Sequence, residues 1–389
     1  MKELLSMSWN TKYECPGGDC GLTCCSGDWK ILLSDSEIEK YKRIDNSFKD
    51  ELLGSIDEKE KCMKSVAGKC ALLDENHLCK LVLACGADAL SYTCSSFPLL
   101  HRDYGIIDEA MVEIVCPIVA EFLFDEEPIE LYGGETDGVV TATREEADTY
   151  FGLYSSRNTI MNILKKYPHQ YIYGKQYILF KFYNTIMNLI DSNQLTMQHI
   201  NEKLNIYCDE NVLLSILSQC EQIGNMFDEK ICVMHNTLID LQCGSALPAI
   251  AGLLYNHKVY VAKYIATYLK DKEIFSVSLK KYIGYMQEHF PMFIENFLLY
   301  ILTLDWTVQN KSEFGTRFLA RFIELFVIQI AGMALLEETG KIERKEYAVA
   351  ISAIDRMFAH DMNMNKQLND YLIKKQMKDA TFLMMLLAK

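Results

Sequence analysis

Ten of the chain's fourteen cysteines lie between Cys15 and Cys116. They open as Cys15-Pro-Gly-Gly-Asp-Cys20-Gly-Leu-Thr-Cys24-Cys25 and recur as Cys62, Cys70, Cys79, Cys85, Cys94 and Cys116. Thiols in this density could form a disulfide framework, bind zinc or hold an iron–sulfur cluster. Cys24 and Cys25 are adjacent, and sequence neighbours are poorly placed to bridge one another in the usual disulfide geometry. The segment before the cysteines, Met1 to Asn10, has no apolar core of signal-peptide length, so a reducing cytoplasmic setting is the expectation. In that setting a cysteine-dense segment reads as a metal-ligand set rather than a set of bridges. The spacing Cys-x4-Cys-x3-Cys-Cys, then Cys-x8-Cys-x5-Cys-x8-Cys, matches no zinc finger closely, and zinc and iron–sulfur both stay open on these grounds.

The elements that must position these thiols can be read from punctuation. Ser34-Asp-Ser-Glu-Ile-Glu-Lys-Tyr41 has the form of a capped helix start, and residues 42–69 read as a charged connector with short helical pieces. Lys80 to Leu90 carries half-buried helical spacing, and Cys94-Ser-Ser-Phe-Pro98 stops it. Cys116-Pro117 places a proline where it can open a helix over Ile118 to Phe124. The cysteines therefore fall at loop–helix junctions. Residues 125–145, with Gly133-Gly134 and Gly138, carry turn chemistry and read as a linker. From Glu146 to Lys389 the pattern is helical; Phe314, Phe318, Phe322, Leu325 and Ile328 share one face, with Arg321 and Glu324 on another. The expectation is a mainly α protein, with a cysteine-rich domain over 1–124, a linker over 125–145 and a helical domain over 146–389.

A net charge of -14 argues against a nucleic-acid binder, which needs a basic face to neutralise phosphates. It favours a basic protein partner. The most apolar stretches, Leu325 to Leu336 and Leu241 to Tyr255, are too short to span a bilayer, so no membrane role is expected. The many tyrosines and methionines read as core and groove lining.

Four pieces of sequence together resemble the flagellin lysine-N-methylase family, a branch of cysteine-rich proteins described as zinc- or iron-chelating. They are Cys15-x4-Cys20-x3-Cys24-Cys25 with Trp29; Cys70-x-Leu-Leu-x5-Cys79; Leu90-Ser-Tyr-Thr-Cys94 with Phe97-Pro98; and Cys116-Pro117. Ile294-Glu-Asn-Phe-Leu and Arg356-x3-His360 extend the likeness towards the C-terminus. The resemblance implies an S-adenosylmethionine-dependent protein lysine N-methyltransferase carrying a [4Fe-4S] cluster, with zinc as the alternative metal. Its substrate would be flagellin or another protein with exposed lysines. It also implies that Cys15, Cys20, Cys24, Cys25, Cys70, Cys79, Cys94 and Cys116 are the metal-binding cysteines. Cys62, Cys85, Cys208, Cys220, Cys232 and Cys243 fall outside that set and read as structural. The chain departs from the family in carrying Leu99 where arginine usually follows the Phe-Pro pair, with Arg102 three residues on, and in the placement of its tryptophan.

Neither common adenosylmethionine signature is present. No Gly-x-Gly-x-x-Gly follows a strand, and Gly27 stands where the Cys-x3-Cys-x2-Cys pattern of radical enzymes needs its third cysteine. The reaction expected is therefore polar displacement. Glu295 could accept a proton or pair with the incoming lysine, and Arg356 with His360, one helical turn apart, could bind a carboxylate. The competing reading has Glu295 capping or pairing locally and Arg356 and His360 on a solvated helix face. Two other classes compete with the enzyme: a metal-stapled interaction scaffold and an iron–sulfur carrier.

Overall fold

The structure, a computed structural model, describes residues 2–20, 22, 24–25, 30–167, 172–224, 231–238, 261–307 and 311–360. Gly27, Trp29 and Cys243 lie outside the described residues, as does the His360 side chain. Most of the described chain is helical, as its composition leads one to expect. The addition is a four-stranded mixed sheet, formed by β1 (Lys2–Met7), β2 (Leu99–Asp103), β3 (Ile107–Val112) and β4 (Leu131–Thr136). Its order is β2-β3-β1-β4. β1 runs parallel to β3, whereas β2 pairs antiparallel with β3 and β4 with β1. The whole cysteine segment up to Cys94 is thus the crossover between two neighbouring parallel strands, which must be joined by a long excursion.

β4 lies within the 125–145 stretch read from the sequence as a linker. Its residues Leu131 to Thr136 are mostly exposed and glycine-bearing, so the apolar alternation that marks a strand is missing. Its pairing with β1 supplies what its side chains do not. Lys2 ties the sheet together from its other side: it is almost wholly buried, bonded to Asp103 and placed 2.7 Å from Asp108.

Two hydrophobic cores form. The smaller gathers Ile31, Leu33, Ile38, Tyr41, Leu52, Met63 and Leu72, with Cys70, Cys79, Cys85 and Cys94 packed on it. Its helix Asp35–Lys42 opens with the expected capping box, in which the Ser34 hydroxyl accepts from the Glu37 amide and the Glu37 carboxylate accepts from the Ser34 amide. The larger core joins β1, β3 and the Cys116–Phe124 turn to the helices. Pro117 does open a helix there, with Cys116 as its N-cap residue, although it runs only Pro117–Ala120 before tightening to a 3₁₀ turn over Glu121–Phe124.

The helix Lys311–Thr339 is the centre of the larger core. Phe314 and Phe318 stack with ring centroids 6.2 Å apart, and Phe322 packs 4.6 Å from Phe180. Each fully buried phenylalanine contributes roughly 1.5–3 kcal/mol. The stretch Arg317–Thr339 is long and apolar enough to cross a membrane, longer than the Leu325 to Leu336 run suggested, and 94% of its apolar window is buried inside the fold. Core packing accounts for its composition.

Candidate functional site

The Cys70 to Cys79 block closes on itself for local reasons. Lys69–Cys70 pairs with Ser65–Val66 across Ala67 and Gly68, both at positive φ, the conformation of a tight hairpin turn. Asp74 then accepts from the Asn76 and Leu78 amides, and a bridge between Leu73 and Cys79 returns the chain. The Cys70 amide donates to the Cys25 carbonyl at 2.8 Å, which docks this hairpin on the N-terminal cysteine run.

The eight family cysteines fall into two electrostatic neighbourhoods. Cys25 feels Cys70 and Cys79, and Cys94 feels Cys70, Cys79 and Cys24. Cys20 feels Cys24 and Cys15, Cys116 feels Cys20 and Cys15, and the Tyr13 hydroxyl bonds to Cys15. Cys24 stands between the groups, hydrogen-bonded to Cys25. That bond is the main reason the Cys24 thiol drops to about 6, with Arg356 lowering it further against the effect of burial. Burial pushes Cys94 and Cys116 up to about 11.

Several sulfurs accept backbone N–H groups: Cys20 from Leu22, Cys70 from Leu72, and Cys116 from Val119 and Ile118. Such bonds stabilise thiolate and tune thiolate-ligated centres. At Cys20, Cys70 and Cys116 burial outweighs these bonds and raises each thiol above its ordinary value. The geometry of the cysteines is that of separate thiols, since among the described residues no group of three or more His, Cys, Asp or Glu could hold a metal ion.

Arg356 does not lie on a solvated face. It is buried, with Nε donating to the Val115 carbonyl at 3.3 Å and Nη2 to the Leu22 carbonyl at 3.1 Å, and it sits within the field of Cys24, Cys116 and Cys20. Its guanidinium thus braces two cysteine-bearing turns from the helix Arg344–His360. The neighbouring Asp355 leads into a buried cluster in which Arg321 pairs with Asp305 at 2.7 Å, Glu324 at 2.7 Å and Asp355 at 2.5 Å. Three carboxylates on one guanidinium leave excess negative charge. Burial, opposed by Arg321 and reinforced by Asp355, holds Glu324 well above its ordinary value. Arg102, next to the family departure at Leu99, reaches the same region and donates to the Leu304 carbonyl.

Glu295 is also buried, and its partner is distant in sequence: Lys175 Nζ lies 2.8 Å from Glu295 Oε1. Burial lowers the Lys175 pKa, opposed by the Glu295 charge. Glu295 lines a small apolar cavity of 60 Å³ with Ile172, Tyr282 and Phe290. Glu295, in the first turn of the helix Phe293–Asp305, thus has a long-range ion-pair partner as well as its local surroundings. The structure brings Arg356 to the cysteines and places Glu295 in a separate buried pair with Lys175.

A much larger cavity lies elsewhere among the described residues. It has a volume of 730 Å³ and is lined by Asp103, Tyr104, Glu145, Tyr150 and Thr307 among others. Gly105 forms its turn at φ +75°, and a Cβ there would meet the Ala142 amide nitrogen at 2.9 Å. Beneath the cavity lies a hydrogen-bonded network in which the buried Arg157 Nε alone is left without a partner among the described residues. Glu109 accepts from Tyr150 Oη at 2.7 Å, Thr307 Oγ1 at 3.0 Å and Arg157 Nη2 at 2.8 Å, and Arg157 Nη1 also donates to Thr307 Oγ1 at 2.9 Å. Tyr104 donates to the Thr307 carbonyl, and its ring stands 4.9 Å from that of Tyr150. None of these residues stands out by motif. One signal was available: Tyr150, Leu153, Arg157, Ile160 and Leu164 share one helical stripe, so Arg157 occupies a core position.

A small cysteine-bearing core beside a helical body with an acid-rimmed cavity, and a buried Arg356 that bonds the turns at Leu22 and Val115, define a mainly helical protein with a thiol-rich crossover. The lysine-N-methylase of Salmonella typhimurium is 32% identical over 129 residues, covering 30% of this chain and 31% of that protein. The flagellar biosynthetic protein FliU of Salmonella muenchen is 32% identical over 129 residues, covering 73% of its length, and the lysine-N-methylase of Salmonella choleraesuis matches to the same degree over 31% of its length. The chain belongs to the flagellin lysine-N-methylase family. The match spans about a third of the two full-length methylases. No family model matches the chain, and no solved structure matches it.

Proposed function

We propose that the chain is a protein lysine N-methyltransferase that takes its methyl group from S-adenosylmethionine, acting on flagellin or another protein with exposed lysines. The observation that carries this reading is the 32% identity over 129 residues to relatives named lysine-N-methylase. In such a transfer the lone pair of a neutral lysine amine attacks the methyl carbon of the sulfonium. The carbon–sulfur bond breaks towards sulfur, the neutral thioether leaves, and the new ammonium loses a proton. A free lysine has a pKa near 10.4, so its neutral form costs about 4.6 kcal/mol at pH 7 unless the site lowers that pKa. Burial beside the Tyr104 and Tyr150 rings supplies such an environment.

The proposed cofactor of the thiol-rich crossover is a [4Fe-4S] cluster, with zinc as the alternative, drawn from Cys15, Cys20, Cys24, Cys25, Cys70, Cys79, Cys94 and Cys116. The sulfur-directed amides of Leu22, Leu72, Ile118 and Val119 and the nearby Arg356 charge favour thiolate ligation. A bound cluster would fix the two cysteine-bearing turns against the helical body.

Incubation with methyl-labelled adenosylmethionine and a lysine-rich protein tests the activity: label should appear on lysine, and its absence from protein under anaerobic, iron-reconstituted conditions overturns the reading. Iron and sulfide content after reconstitution tests the cluster, and a chain that methylates with stoichiometric zinc and no iron would rule it out.

A further inference from the structure

We infer that the acid-rimmed cavity and the groove continuous with it seat a basic, lysine-bearing segment of the protein substrate, with the target lysine reaching the wall formed by the paired Tyr104 and Tyr150 rings. This rests on the methyltransferase reading and gives its substrate a place. Three hollows share walls around the first turns of the helix Arg144–Lys166. The main cavity shares Tyr150 with a hollow of 550 Å³ over β1 and β4, and shares Glu145 with a third beside Phe151. Together they line the surface from the Tyr104–Tyr150 wall over the first turns of that helix to β1 and β4.

The charges along that path are almost all of one sign. The linings carry the carboxylates Asp103, Glu145, Glu146, Asp148, Glu3 and Glu135, against the single cation Arg144. Some are already engaged: Lys2 neutralises Asp103, Glu146 belongs to the cap on Thr143, and Asp148 accepts from the Met197 amide. Glu145 is exposed at the mouth and has no ion pair with the described residues. Glu3 and Glu135 are the more telling pair. They are directly opposed across the antiparallel β1–β4 ladder, so their side chains project on one face side by side. Like charges in that position repel, and neither has a cationic partner among the described residues. A basic side chain laid over β1 and β4 would relieve this repulsion.

The main cavity then offers a lysine two successive environments. Glu145 at the rim attracts the ammonium, and the walls deeper in are the Tyr104 and Tyr150 rings above the buried Thr307. Aromatic faces attract a cation. Burial among them favours the neutral amine, so the proton is left to solvent at the mouth. Glu109, Arg157, Tyr150 and Thr307 bond to one another beneath this wall and hold the Tyr150 ring in place.

The test is titration of the full chain with a capped peptide of alternating lysine, serine and glycine, and with the same peptide Nε-acetylated. The free-amine peptide should bind, weaken as salt rises, and lose most of its affinity on acetylation. Glu145→Lys and Glu135→Lys should each weaken binding by about tenfold, whereas Glu288→Lys, which lines none of the hollows, should not. In turnover, Glu145→Lys should raise KM for the peptide and leave kcat in place. Equal binding of the acetylated peptide, or full affinity in both Glu145→Lys and Glu135→Lys, overturns the assignment. Label transfer that ignores these variants removes the groove and leaves the methyltransferase; peptide binding that obeys them without label transfer does the reverse.

Discussion

Replacing Arg157 with methionine keeps most of the stem volume and deletes the guanidinium, which makes it a direct probe of the cavity floor. In the native fold that guanidinium is wholly buried and donates to both Glu109 oxygens, at 2.8 and 3.3 Å, to the Thr303 carbonyl at 3.3 Å and to Thr307 Oγ1 at 2.9 Å. Its loss leaves Glu109 buried with only two hydroxyl donors, Tyr150 and Thr307. Breaking a buried pair from one side costs about 3–5 kcal/mol. Glu109→Gln strands Arg157 and should fall in the same range. The double variant removes both charges, so its cost should be smaller than the sum of the singles by about 2 kcal/mol or more. The measurement is the urea midpoint and slope for all four proteins. Single-variant losses under about 1 kcal/mol, or strictly additive ones, would refute a coupled floor.

Burial, reinforced by Asp355, raises Glu113 to about 7. Its folded pKa lies above its unfolded one, so the protonated form's stability is present in full at low pH and is lost as pH rises through 7; Glu113→Gln should flatten that slope and stabilise the protein by about 1–2 kcal/mol above it, after discounting for partial exposure. Parallel melting curves for the two proteins between about pH 5 and pH 8 would exclude this. Lys175→Met should cost about 3–5 kcal/mol by stranding Glu295, while Lys175→Met with Glu295→Met should recover most of it. If the folded double variant still methylates lysine, Glu295 acts through structure; loss of transfer with the fold intact would return it to the chemistry. Gly332→Ala would set a methyl group 2.4 Å from Tyr347 Oη and 2.6 Å from Tyr282 Cε2, inside the bonded Tyr282–Tyr347 pair, and should lower stability by about 1–3 kcal/mol in thermal unfolding.

The local devices of this fold were legible from residue order. Ser34 with Glu37 could be read as a capping box and Pro117 as a helix opener, because each depends on atoms a few residues apart. The Phe314, Phe318 and Phe322 stripe was equally plain, since helical periodicity reports burial of one face. β4 was not, because its exposed glycines carry no strand signal and its hydrogen bonds come from β1, about 130 residues earlier in the chain. Arg356 and Glu295 show the same limit in their surroundings. Helix position suggested a solvated face for one and a local partner for the other, and long-range packing buried both.

By itself, the sequence determined which groups are available for chemistry: a dense run of thiols, helices with capped ends, and an excess of acidic residues. Those follow from residue type and near-neighbour spacing. Tertiary structure alone decided which thiols share a neighbourhood, that Arg356 braces them, and that Glu109, Arg157, Tyr150 and Thr307 meet beneath a cavity. Contacts between residues 40 to 330 positions apart leave no trace in local order. It also placed Glu3 opposite Glu135, because only strand register brings two such distant carboxylates side by side.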